Sequence, residues 1–174
     1  MQTRHKVFIS YYHHDDQYYK NKFQRLFARA FINKSVESGD IDADNSDEYI
    51  KRLIQENYLD DSSVLVVLVG RHTFCRKHVD WEISGALNKK VGGYSGLLGL
   101  CLPTHANYRK ERYSAEAVPP RLVDNLVTGY ASLYDWTTDV SLIRRYVQRA
   151  FERRVKLSSR IDNTRPQFQR NRCQ

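Results

Sequence analysis

Between Ser62-Ser63 and Gly70 lies the run Val64-Leu65-Val66-Val67-Leu68-Val69, apolar at every position. No other feature constrains the fold as strongly. A strand with one face in water alternates apolar and polar residues. A strand with no polar residue has to be covered on both sides, which is the situation of a central strand in a parallel sheet. The run is far too short to span a bilayer. Four further segments read as strands: residues 6–11 (Lys-Val-Phe-Ile-Ser-Tyr), a weaker one at 31–36, residues 97–102 stopped by Pro103, and residues 130–136. Apolar side chains recur at helical spacing between them: Tyr19, Phe23, Leu26, Phe27; Tyr49, Ile50, Leu53, Ile54; Val79, Ile83, Ala86, Leu87; and Leu142, Ile143, Tyr146, Val147, Ala150. Asp15 or Asp16 is placed to cap the first helix, and Asn45 with Glu48 resembles a capping box for the second. Strands alternating with helices predict an α/β fold, an open parallel sheet of about five strands with helices on both faces. The polar residues 104–120 read as an excursion from that pattern.

Composition bears on compartment and partners. Of 174 residues, 41% are apolar and 28% charged, the balance of a globular protein, and residues 1–158 read as one domain. The net charge of +8 is concentrated at the end: residues 138–174 carry ten Lys and Arg against three Asp and Glu, leaving +1 for the rest. Residues 159–174, rich in Arg, Gln and Asn, read as a basic, flexible tail. Such basicity admits nucleic-acid binding, yet no DNA- or RNA-reading motif accompanies it. Cys75, Cys101 and Cys173 are odd in number, far apart and without a CxxC pair. That argues against a disulfide framework or a zinc site and for a reducing, cytoplasmic setting. No charged-then-apolar leader opens the sequence, and no membrane association is expected.

Ligands of an open parallel sheet sit at the carboxyl ends of its strands, so the segments after Tyr11, Val36, Val69 and Leu102 are the candidates. No GxGxxG follows the first strand and no GxxxxGK[ST] occurs, which removes the dinucleotide-fold fingerprint and the P-loop. A phospho-acceptor aspartate is missing where the central strand ends, Val69-Gly70-Arg71. Asp40-x-Asp42-x-Asp44 begins like a calcium loop but fails at Asn45 and Lys51, and a solvated acidic loop is the better reading. His13-His14-Asp15-Asp16 lacks a second cluster of metal ligands. What remains is the segment from Arg71 to Ile83, in which Glu82 flanks the buried helix face of Val79, Ile83 and Ala86. One carboxylate beside a cleft suits cleavage of an N-glycosidic bond to a cationic leaving group, because that group departs neutral and the oxocarbenium-like transition state gains from a negative charge. The alternative is a solvated Glu82 paired with Arg71, Arg76 or Lys89.

Lys6-Val7-Phe8-Ile9-Ser10-Tyr11 resembles the opening "VFISY" of TIR (Toll/interleukin-receptor) domains. The block SVLVVLVGRHTFCRKHVDWEI, residues 63–83, resembles the central strand and glutamate-bearing helix of the TIR-like proteins of bacterial Thoeris anti-phage systems. The likeness covers roughly residues 5–102. It implies a flavodoxin-like, TIR-like sheet and an enzyme that consumes NAD+ as substrate, with no separate cofactor or metal. Such an enzyme releases nicotinamide and forms ADP-ribose or a cyclic isomer that activates a separate effector protein. By the same resemblance Glu82 is the catalytic glutamate, Ser10, Tyr11, Tyr12 and His13 form the nucleotide-contacting loop, and residues 40–47 match a variable loop over the pocket. His78 stands where such domains often carry Trp, while Trp81 adjoins Glu82. Two alternatives remain beside this one: a non-catalytic TIR-like module acting by self-association, as a homo-oligomer, and nucleic-acid binding through the basic end.

Overall fold

The computed structural model describes residues 4–37, 42 and 44–173. Its elements run β1 (Lys6–Ser10), α1 (His13–Phe27), β2 (Ile32–Lys34), α2 (Asp47–Leu53), β3 (Val64–Val69), α3 (Lys77–Ala86), β4 (Gly96–Cys101), α4 (Pro120–Val127), β5 (Ser132–Asp135) and α5 (Val140–Lys156). The five strands form one parallel sheet in the order β2-β1-β3-β4-β5. β3 is central, and none of its side chains reaches solvent. Strand parity divides them. Leu65, Val67 and Val69 pack with Ile50, Trp81, Ile83 and Leu122 on the α2–α3–α4 face. Val64, Val66 and Leu68 pack with Phe23, Phe27, Ile143 and Val147 on the α1–α5 face. At Gly96 a Cβ would lie 2.1 Å from the Ala150 carbonyl oxygen, so α5 crosses β4 at a distance that glycine alone permits.

Winding reverses between β1 and β3. The chain leaves β1 for α1 on one face and leaves β3 for α3 on the other, which opens a crevice at the carboxyl ends of these two strands. Parity also matters for Ser10: it shares the Phe8 side of β1, the side that α3 covers.

Several expectations are corrected. α1 begins at His13 with Tyr12 at its N-cap, and Asp15 and Asp16 occupy the first turn, where they favour the helix dipole without capping it. The cap of α2 is Ser46, whose Oγ accepts from Tyr49 N at 3.3 Å, one residue beyond Asn45. α4 was not legible as a helix; it starts at Pro120, where a missing N–H costs nothing.

The largest correction is at the end of the chain. Residues 161–173 do not hang free but lie strapped across α4 and α3. Asp162 N donates to Asn125 Oδ1 (3.0 Å) while Asn125 Nδ2 donates to Asp162 O (2.7 Å). Arg165 pairs with both oxygens of Asp124 at 2.8 Å. Phe168 is buried, its carbonyl accepts from Trp81 Nε1 (2.8 Å), and its N–H donates to Asp80 Oδ2 (2.9 Å). Beneath the strap the buried Arg121 donates to Asp80 Oδ1 and to Asn163 Oδ1, each at 2.9 Å. Cys75 and Cys173 form a disulfide with a Cα–Cα separation of 5.5 Å, against the expectation of unpaired cysteines; Cys101 is the free one. An odd count does not exclude a single bond when the fold brings two thiols together across 98 residues.

Candidate active site

The crevice at the switch between β1 and β3 holds a cavity of about 210 Å³. Tyr11, Tyr12 and His13 enter it from the turn between β1 and α1, Val36 from the segment after β2, and Arg76 to Val79 and Glu82 from the start of α3. Five of the six residues expected at the site, Tyr11, Tyr12, His13, His78 and Glu82, therefore share one cavity. The sixth, Ser10, lies beneath it, on the side of β1 that faces Glu82.

Glu82 is 5% exposed. It forms no ion pair among the described residues, so pairing with Arg71, Arg76 or Lys89 is not observed. Its Oε2 and Ser10 Oγ are buried without a well-formed hydrogen-bond partner. Burial pushes the Glu82 carboxyl up to about 8, and the neighbouring Ser10 hydroxyl offsets only part of this. An isolated buried carboxyl with an unused oxygen is costly, and it takes its charge most readily when a cation arrives.

The remaining wall is aromatic and basic. Tyr11 is buried, donates from its hydroxyl to Gln17 Oε1 (3.0 Å), and stacks on His13 with ring centroids 4.4 Å apart. The Arg76 guanidinium lies 3.5 Å over the Tyr12 ring. His78 keeps an edge in solvent, yet burial of the rest of its ring, the charge of Lys77 and His13 together lower its pKa below the ordinary histidine value. Trp81 takes no part: it is buried under the strap, with Lys51 and Lys77 above its ring at 4.7 and 5.0 Å.

A second polar group lies beside this cavity. Asp15 bonds His14 Nδ1 (2.8 Å) and His72 Nδ1 (2.5 Å). Asp16 is wholly buried against Gly70, and burial, with the Asp15 charge, raises its carboxyl to about 7. No three His, Cys, Asp or Glu side chains converge to hold a metal among the described residues. Nor is any helix of the described residues long and apolar enough to cross a membrane. Of the acidic loop expected over the pocket, residues 40–47, positions 40, 41 and 43 lie outside the described residues. Residues 104–120 contribute no side chain to the cavity. One contributor escaped the sequence altogether: Asn171, delivered by the strap. Nothing in its local pattern marks it, since only the folded position of the last residues brings it there.

Comparison with known proteins agrees with this arrangement. The family described as Thoeris protein ThsB, TIR-like domain, matches residues 8–107, a span that runs from within β1 through β4 and holds Glu82. No curated protein matches the chain. Among solved structures, the TIR domains of the activated Roq1 resistosome directly recognizing the pathogen effector XopQ align at 15% identity over 89% of this chain and 84% of theirs, with a TM-score of 0.41. A likeness that distant says nothing further about the site. The family match spans more than half of the sequence and includes the crevice and its glutamate, and the chain belongs to the ThsB TIR-like family of Thoeris proteins.

Proposed function

We propose that the protein cleaves NAD+ at the bond between nicotinamide and ribose and so produces a nucleotide signal in anti-phage defence. One observation carries this reading: a buried, ion-pair-free carboxylate, Glu82, opening into an aromatic-walled cavity at the switch point of a parallel sheet. The nicotinamide of NAD+ is a cationic ring. Its approach favours the ionised form of a carboxyl that the empty pocket holds protonated up to about 8. As the C–N bond breaks, its electron pair returns to the ring, nicotinamide leaves neutral, and positive charge grows on the ribose carbon beside Glu82. A carboxylate held without other partners stabilises that charge better than one already paired. Tyr11, Tyr12, His13 and His78 offer faces for stacking the two bases, and Ser10 sits where its hydroxyl tunes Glu82.

The fate of the ribose carbon depends on what reaches it. Water adds through its oxygen and loses a proton, giving ADP-ribose; a nucleophile of the folded nucleotide gives a cyclic product. In this scheme the product acts on a separate effector protein. Incubation of the purified protein with NAD+, followed by chromatography, is expected to yield nicotinamide and, in equal amount, ADP-ribose or its cyclic anhydride, a cyclic ADP-ribose. NAD+ that stays intact under all conditions, including during phage infection of cells carrying the system, would overturn the proposal.

A further inference from the structure

The open N-terminus of α3 is closed by a residue almost a hundred positions away. Arg76, at the N-cap, makes no side-chain cap. Instead Asn171 Oδ1 accepts from Lys77 N at 3.0 Å, and Arg172 N donates to the Cys75 carbonyl at 2.8 Å. The Cys75–Cys173 bond fastens the strap to the turn that precedes α3. Upstream, Phe168 is locked to Trp81 and Asp80 of the same helix. Asn171 is thus held from both sides on the helix that carries Glu82, and it forms part of the cavity wall while remaining exposed. Because the backbone N–H must meet an acceptor, the amide oxygen is the atom engaged at Lys77, and the Nδ2 amide has no protein partner among the described residues. Arg76 and Lys77 flank it; Lys77 is paired with Asp47 (2.9 Å), and the Arg76 guanidinium, without an ion pair among the described residues, brings positive charge to this rim.

We propose that Asn171 is a substrate-contacting residue whose Nδ2 amide donates to a phosphate oxygen of the dinucleotide at the N-terminus of α3, with the disulfide-anchored strap serving as the outer wall of the pocket. This rests on the assignment of the cavity to NAD+. The strap lies beyond residue 107, where the family match ends, so that match does not cover this contact. An amide suits the position because its oxygen serves the helix N–H while its nitrogen serves the ligand. A helix N-terminus favours the anionic part of the ligand on the same rim.

The test uses NAD+ binding by calorimetry in a Glu82→Gln background, where bond cleavage is stopped. Asn171→Ala and Asn171→Asp are each expected to weaken NAD+ binding about fivefold or more, the loss of one hydrogen bond to a charged group. Asn171→Asp keeps the oxygen that caps α3, so its melting temperature should match that of the parent, yet its added negative charge opposes the phosphates. In the otherwise wild-type protein both changes should raise KM for NAD+ and leave kcat within about twofold. Affinity restored to within twofold by Asn171→Asp would mean that Asn171 only caps the helix, and the proposal would fall while the NAD+ assignment stood. Absence of NAD+ binding in the parent, together with no nicotinamide release by the wild type, would remove the NAD+ assignment itself and this contact with it.

Discussion

At the scale of single residues, the proposed chemistry turns on how far the protein displaces Glu82 from an ordinary carboxyl. The group is buried, and its pKa is raised to about 8 against an unfolded value near 4.5. Two consequences follow with opposite signs. In the free enzyme the active, ionised form grows with pH, so kcat/KM for nicotinamide release is expected to climb about tenfold per pH unit below 8 and to level above it. The kcat profile, measured on the complex, should turn at lower pH, because bound nicotinamide cation favours the carboxylate. Stability moves the other way. A raised carboxyl pKa means that the unfolded chain sheds its proton first, so stability is lost as pH rises from about 4.5 to 8. Glu82→Gln removes that dependence. The variant should gain on the order of 3 kcal/mol relative to wild type between pH 5 and pH 8, read from urea denaturation at the two pH values. A flat difference across that window would mean that Glu82 titrates normally.

At the scale of elements, α3 is the part on which everything converges. The sheet covers one side of it, Leu59 and Gln55 reach Gly85 on another, and α4 with the strap covers the rest. Asp80, two residues before Glu82, is held by Arg121 of α4 in a buried ion pair (2.9 Å). Arg121→Ala leaves that carboxylate uncompensated and should cost about 3–5 kcal/mol in urea denaturation, whereas replacing Asp80 and Arg121 together with apolar residues should cost much less. Equal losses would contradict the coupling. Legibility from sequence followed the same physics. The uninterrupted apolar run of β3 and the long stripe of α5 declare themselves because each has one period and a full complement of apolar residues. The rule that ties ligands to strand ends pointed to the segments after β1 and β3, and the resemblance to TIR domains singled out Glu82 and the turn after β1 within them. α4 was missed because Leu122, Val123 and Leu126 follow two prolines that read as loop. The strap was missed because a single aromatic, Phe168, anchors it, and its other bonds are polar contacts with partners some 40 to 90 residues away. No local pattern carries such pairings, and so Asn171 could not be placed at the site.

For the molecule as a whole, part of the charge that dominates the sequence is used internally. Arg153 donates to Ser132 Oγ, Arg154 to the Gly92 and Tyr94 carbonyls, Arg165 pairs with Asp124, and Arg172 lies 3.8 Å over Phe168. Four of the ten basic residues at this end thus fasten α5 and the strap to the rest of the fold, in place of the free cationic tail expected, while Arg144, Arg145, Arg149, Arg160 and Arg170 stay exposed. The proposed site lies elsewhere, at the reversal between β1 and β3, where a neutralised glutamate opens into an aromatic pocket. The measurement that tests this most directly is nicotinamide release at saturating NAD+ by the wild type and by Glu82→Gln, with NAD+ affinity measured on both. The expected result is a loss of about a thousandfold or more in kcat, comparable to removal of a principal electrostatic stabiliser, with affinity changed only a few-fold. Turnover by Glu82→Gln within tenfold of wild type would contradict the role assigned to Glu82.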